Sequence, residues 1–184
     1  RTPKDVEESL ADMANRIAQS QILMIPGGFS SGDEPEGSGK FIAAVFRNPR
    51  IADAVMELLT KRDGLILGIC NGFQALVKIG LVPYGEIRTM TEHSPTLSFN
   101  TIARHVATMA RTKVVSSLSP WFSTMKVGDM HMVPISHGEG RFLADQAVIE
   151  SLIANGQIAT RYVHEDGRAA SERPDNPNGS MCAI

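Results

Sequence analysis

Residues 65–76 read Leu-Ile-Leu-Gly-Ile-Cys-Asn-Gly-Phe-Gln-Ala-Leu, an apolar run that passes straight into a helical pattern with a cysteine at the join. The run from Leu65 to Ile69 suits a buried strand. Phe73, Leu76, Val77 and Ile79 then recur at helical spacing, and Gly80 supplies a stop. Between the two, Gly68-Ile69-Cys70-Asn71-Gly72 matches the pattern Gly-x-nucleophile-x-Gly. A strand that turns directly into a helix brings two backbones close together, so small residues are needed on both sides. They also let the central residue take strained dihedrals. The helix start aims its N–H groups and the positive end of its dipole at the sulfur, which favours thiolate over thiol. A buried structural role is the commonest fate of a free cysteine. The paired glycines and the strand-to-helix context point instead to a nucleophile.

The rest of the chain predicts an α/β protein. Thr2-Pro3-Lys4-Asp5 has the form of a helix start, with Thr2 as cap, Pro3 at the first helical position and an acid three residues after the cap. Gln21 to Ile25 reads as a buried strand ending in Pro26-Gly27-Gly28-Phe29, followed by a polar, acidic and Gly-rich loop to Gly39. Helices are expected over 40–47 and 50–61, broken at Asn48-Pro49. This strand–helix–strand–helix order argues for a mostly parallel sheet with helices on both faces. From about 97 to 135 the pattern changes to an antiparallel strand insertion, with Thr101 to Val115 and Met130 to Ile135 as strands. Trp121 and Phe122 read as packing anchors and the nine Met residues as core filler. Ala144 to Ala154 is an amphipathic helix, Ile158 to Val163 a strand, and Asn176-Pro177-Asn178-Gly179-Ser180 a dense turn cluster.

At 184 residues the chain suits one α/β domain with a core of its own. A net charge of −2 gives no general footprint for nucleic acid, and no apolar run approaches the length of a membrane span. Two cysteines far apart make a poor disulfide framework, so a reducing, cytoplasmic compartment is expected, with Cys182 a small core residue. The sequence begins Arg1-Thr2-Pro3 and stops in the apolar Met181-Cys182-Ala183-Ile184, which resembles the start of a strand. The expectation is a piece of a larger protein.

Three loops follow apolar strands: Pro26-Gly27-Gly28-Phe29, Cys70-Asn71-Gly72 and Ser136-His137-Gly138-Glu139. In a parallel sheet such loops meet at the carboxyl edge, where ligands bind. A cysteine nucleophile there needs N–H donors aimed where negative charge develops. The Asn71 amide, directly after the nucleophile, is the expected first donor, and the Gly28 amide a plausible second. Asp33, Glu34 and Glu36 are too loosely spaced for a metal site, and His93, His105, His131 and His164 show no metal-ligand pattern, so no metal is expected. Arg104, Arg111 and Lys113 read as a solvated strand face.

Taken together, LGICNGFQALVKIGLVPYGEI, IPGGFSSGDEPEGSGKFIAAVFRN, PISHGEGRF and NPNGS resemble the glutamine amidotransferase domain of phosphoribosylformylglycinamidine synthase, a class I, triad-type glutaminase. The resemblance covers essentially the whole chain. The long loop from Gly28 to Gly39 is more similar to the large single-chain form of the synthase than to the small separate subunit. The resemblance implies a flavodoxin-like fold in which Cys70 attacks the side-chain amide of glutamine, forms a thioester and releases ammonia. That ammonia would serve a synthase domain, of the same chain or complex, that uses ATP and Mg²⁺ to make formylglycinamidine ribonucleotide; this domain itself needs no cofactor. Gly28, Phe29, Asn71 and Gln74 fall where the family lines its glutamine pocket and oxyanion hole.

The family's triad is completed by a His-x-Glu pair soon after the NPNGS block, which places it beyond Ile184. The sequence is therefore expected to be a single glutaminase domain over 1–184 lacking its first strand and its C-terminal catalytic segment, with little glutaminase activity alone. Ser136 and His137 correspond to a segment that contacts bound glutamine in class I relatives. With Glu139 two positions on, His137 also has the form of a base beside its orienting acid, and a purely structural role stays open. Two other classes fit the elbow: a different elbow-cysteine hydrolase of similar architecture, and a truncated, non-catalytic docking module.

Overall fold

Thr2 caps the first helix as its sequence predicts. In the computed structural model, which describes residues 2–28 and 39–184, the Asp5 amide donates to Thr2 Oγ1 at 3.3 Å and the Thr2 amide donates to Asp5 Oδ2 at 2.7 Å. This reciprocal box satisfies two donors that a helix start would leave unpaired. Helix α1 spans Pro3–Gln19. The Arg62 guanidinium closes its far end, donating to the Ile17 and Ala18 carbonyls at 2.8 and 2.7 Å.

The chain forms two compact units, Arg1–Met90 and Thr91–Ile184. In the first, strand β1 (Ile22–Ile25) runs parallel to β2 (Leu65–Gly68), with Ile22 opposite Leu65 and Ile25 opposite Gly68. Helices α2 (Lys40–Phe46) and α3 (Pro49–Thr60) fill the crossover. Asn48 separates them as expected: its Oδ1 accepts from the Arg50 amide at 3.1 Å, with Pro49 at the first helical position. Helix α4 (Asn71–Ile79) leaves β2 directly and ends at Gly80, whose φ of 86° is the left-handed stop. A short turn, α5 (Leu81–Tyr84), follows. The core of this unit joins Ile17, Ile25, Phe46, Ile51, Val55, Leu58, Leu76 and Ile79. It draws on both helices and strands, as the periodicity of each segment requires.

The second unit is built on antiparallel pairs. Strand β4 (Val106–Val114) lies between β5 (Met130–His137) and β7 (Thr160–Tyr162), while β3 (Thr96–Ser98) pairs with β6 (Arg141–Leu143). Helix α6 spans Gln146–Ala154. The antiparallel part thus continues past residue 135 through β6 and β7. The apolar end of the sequence joins it, with Ala183 bridged to Thr160. Half-buried Cys182 packs with Ala110, Tyr162 and Ala170.

Several side-chain expectations are corrected. Trp121 is exposed and Phe122 half-buried, because they sit on a 3-10 turn, Pro120–Phe122, in the loop between β4 and β5. Six of the nine Met residues are exposed, including Met109 and Met132 on β4 and β5, so they are not core filler. Thr101 to Arg104 forms a turn before β4, which leaves Arg104 off the strand that carries Arg111 and Lys113.

Candidate active site

Cys70 sits at the junction of β2 and α4, as the N-cap of the helix. Its φ of 54° and ψ of −112° lie outside the regions that L residues ordinarily occupy. Such strain persists only where the surroundings enforce it. Here the enforcement is visible. The Ile25 carbonyl accepts the Ile69 amide at 3.0 Å, extending the parallel ladder one residue past β2. The Cys70 carbonyl accepts from Gln74 at 3.0 Å, so the helix begins at the very next residue. The chain must therefore reverse within one residue, and a left-handed φ does it.

The glycines around this turn are space requirements. A Cβ on Gly72 would collide with the Ile25 carbonyl oxygen, and one on Gly68 would come within 2.8 Å of the Gly72 carbonyl oxygen. A Cβ on Gly27 would stand 2.9 Å from Cys70 Cβ, which places the end of β1 against the cysteine. The thiol itself is exposed.

The other expected residues divide as follows. Gly28 follows Gly27 on the same loop, with open space where a side chain would be. Asn71 and Gln74 are both buried on the first turn and a half of α4, at 4% and 7% exposure. Phe29 lies outside the described residues, as do Asp33, Glu34 and Glu36. Ser136 and His137 belong to the second unit. The expectation that they form a loop at the edge of a parallel sheet is corrected: they are the last two residues of β5, and His137 pairs with Val106 in an antiparallel ladder. Gly138 and Gly140 mark the turn, but the ladder runs up to it.

His137 is half-buried and its environment is polar. Its Nδ1 lies 2.9 Å from Asn100 Oδ1. Loss of solvent by burial pushes its basicity below that of a free imidazole, helped by the neighbouring His105, although its own backbone hydrogen bond acts the other way. His105 Nε2 in turn stands 2.9 Å from Ser136 Oγ. The NPNGS block is not a surface turn. Asn176 and Asn178 are 4% and 2% exposed, and Asn178 Nδ2 donates to the Gly140 carbonyl at 2.7 Å. Sequence reading missed Asn100, Asn178 and His105 as neighbours of the Ser-His segment. Only the recurrence of NPNGS as one of four ordered blocks hinted at more than a turn. Among the described residues no cluster of three metal-ligating side chains occurs.

A cysteine enforced at positive φ between a parallel strand and a helix defines an elbow-cysteine α/β protein. The chain belongs to the CobB/CobQ-like glutamine amidotransferase domain family, whose pattern matches residues 3–184. It is similar to phosphoribosylformylglycinamidine synthase subunit PurQ of Salinibacter ruber, 35% identical over 178 residues, covering 97% of this chain and 65% of that one. The subunits of the same name from Moorella thermoacetica and Methanococcus maripaludis are 35% and 37% identical, over 90% and 92% of this chain. The chain spans 61–65% of the length of these relatives. A chain in the structure of PurLQS from Thermotoga maritima superposes with a TM-score of 0.58 and 26% identity, covering 88% of this chain and 67% of that one.

Proposed function

We propose that this chain is the glutaminase part of a phosphoribosylformylglycinamidine synthase, and that Cys70 is its nucleophile. The observation that carries the reading is the strained, exposed Cys70 at the elbow of a family member. The thiolate attacks the carboxamide carbon of glutamine, and the C=O electrons move to oxygen. The Asn71 amide and the Gly28 amide stabilise that oxyanion. Collapse expels ammonia, which takes a proton, and leaves a γ-glutamyl thioester. Water then releases glutamate and restores the thiol.

The thiol proton needs a base, and the leaving amine needs that base's conjugate acid to return the proton to it. Residues 1–90 contain no histidine, so none in the unit that carries Cys70 can serve. The base of the reading is the family's His-x-Glu pair. Gln74, buried on the first turns of α4, lines the glutamine pocket at the elbow, and Ser136 with His137 is a further glutamine contact of the reading. The ammonia passes to a synthase partner, in keeping with the name of the similar PurLQS structure, and that partner supplies the ATP and Mg²⁺ chemistry. The large single-chain form of the synthase is favoured by the Gly28–Gly39 loop, whereas the relatives above are named as separate subunits. No helix among the described residues is long and apolar enough to cross a membrane, and we place the protein in the cytoplasm.

The test is synthesis of the amidine by the intact synthase carrying Cys70→Ser. Loss of the glutamine-dependent reaction with the ammonia-dependent one retained supports the assignment. Retention of both overturns it.

A further inference from the structure

Asn100 is 2% exposed, and every polar group it carries is used. Its backbone amide donates to the Gly138 carbonyl at 2.9 Å, and its carbonyl accepts from Ala103 at 2.8 Å. Its side-chain Nδ2 donates to the His137 carbonyl at 2.8 Å and to the Arg104 carbonyl at 3.0 Å. Its Oδ1 accepts from the Gly140 amide at 3.3 Å and faces His137 Nδ1 at 2.9 Å. Three of these partners have fixed sign. Two are carbonyls, which only accept, and one is an amide, which only donates. The amide group of Asn100 therefore has one permissible orientation, and the oxygen must be the atom that faces the imidazole.

An oxygen acceptor at 2.9 Å requires a proton on Nδ1. In the neutral ring that leaves Nε2 as a lone-pair acceptor, the reverse of the tautomer that free histidine prefers. The side-chain partner of the ring among the described residues is Asn100, and it sits at Nδ1. The ring cannot turn away easily, because Gly140 lies so close that a Cβ there would run into the imidazole. Gly140 is fixed at both ends, its amide by Asn100 Oδ1 and its carbonyl by Asn178 Nδ2.

We propose that Asn100 is a positioning residue that holds His137 as the Nδ1–H tautomer and presents Nε2 as a hydrogen-bond acceptor to a donor group of the substrate. The functional half rests on the reading that His137 contacts glutamine, whose ammonium and carboxamide are the available donors. Burial and His105 both favour the neutral ring that the arrangement needs. His105, which also approaches Ser136, is the charged or titratable neighbour of this ring on the segment leading into β4.

The experiment is ¹⁵N NMR of the intact protein labelled at histidine, with His137→Gln identifying the resonance. The expected signature at neutral pH is a pyrrole-like Nδ1 and a pyridine-like Nε2. A pyridine-like Nδ1 overturns the proposal. Asn100→Ala removes a buried hub and is a poor test of anything but folding. Asn100→Asp keeps the shape and the acceptor oxygen but exchanges the Nδ2 donor to the His137 and Arg104 carbonyls for a second oxygen; in protein that circular dichroism shows to be folded, its negative charge beside the ring is expected to convert the ring to imidazolium at neutral pH. Nε2 then becomes a donor, and KM for glutamine rises about tenfold, one hydrogen bond's worth, with kcat within about twofold. A ring that titrates in Asn100→Asp as it does in the parent overturns the positioning role, and so does a converted ring with unchanged KM. The glutamine contact is judged separately. If His137→Gln itself leaves KM unchanged, that contact is wrong, whatever the NMR shows.

Discussion

Gly72→Ala tests the physical basis of the elbow. The new Cβ would meet the Ile25 carbonyl oxygen, and would stand 2.8 Å from the Ile25 carbonyl carbon and 2.9 Å from its Cβ. Backbone of a paired strand cannot swing aside as a flexible side chain can. Overpacking costs about 1–3 kcal/mol, and a rigid neighbour puts this case at about 3. Alanine's better helix propensity returns at most about 1 kcal/mol at a position in α4. The net loss is about 2 kcal/mol, which lowers Tm by roughly 4–8 °C for a protein of this size. The same Ile25 carbonyl accepts the Ile69 amide at 3.0 Å, so the collision also loosens the ladder beside Cys70. The control is Gly138→Ala, where a Cβ meets nothing within 4 Å, and where the change should stay within about 0.5 kcal/mol. Thermal unfolding of the two variants side by side is the assay. A Gly72→Ala protein as stable as Gly138→Ala would refute the claim that close backbone approach dictates the glycines of this turn.

Two further outcomes follow from the same geometry. Cys70 holds a φ that glycine adopts freely, so Cys70→Gly should be more stable than Cys70→Ala by about 1 kcal/mol in denaturant unfolding; equal stabilities would mean that the turn stores no strain. His137 binds its proton less readily in the folded state than in the unfolded chain, whose histidines titrate near 6.5. Below that pH the unfolded state takes up more protons, so its contribution to stability is present above about 6.5 and is lost as pH falls below it. Unfolding free energy should fall between pH 7.5 and 5.5, less steeply in His137→Gln; identical slopes would contradict the assignment.

The elbow was legible because its signals are local. Two glycines, an apolar strand and a helical stripe lie within sixteen residues of one another, and each physical requirement is met by a neighbour in sequence. The cap at Thr2 and the break at Asn48-Pro49 were legible for the same reason. The support for His137 was not. Asn100 reaches it across 37 positions and Asn178 reaches Gly140 across 38, and nothing in a single sequence marks such partners. The strand pattern from Met130 to Ile135 ends before Ser136-His137, which places that pair in a loop, yet the ladder to Val106 carries the strand on through His137. Trp121 misled for a related reason. Aromatic burial is a tendency of the whole molecule, and a 3-10 turn in a long connection places this ring at the surface.

Cys70 is the group proposed to react with glutamine. The direct measurement is mass-spectrometric mapping after a glutamine-derived chloroketone is added to the intact protein, with and without glutamine. Exposed Cys70 should be alkylated well before half-buried Cys182, and glutamine should suppress that label. Equal labelling of the two cysteines, or a Cys70 label that glutamine leaves untouched, would contradict it.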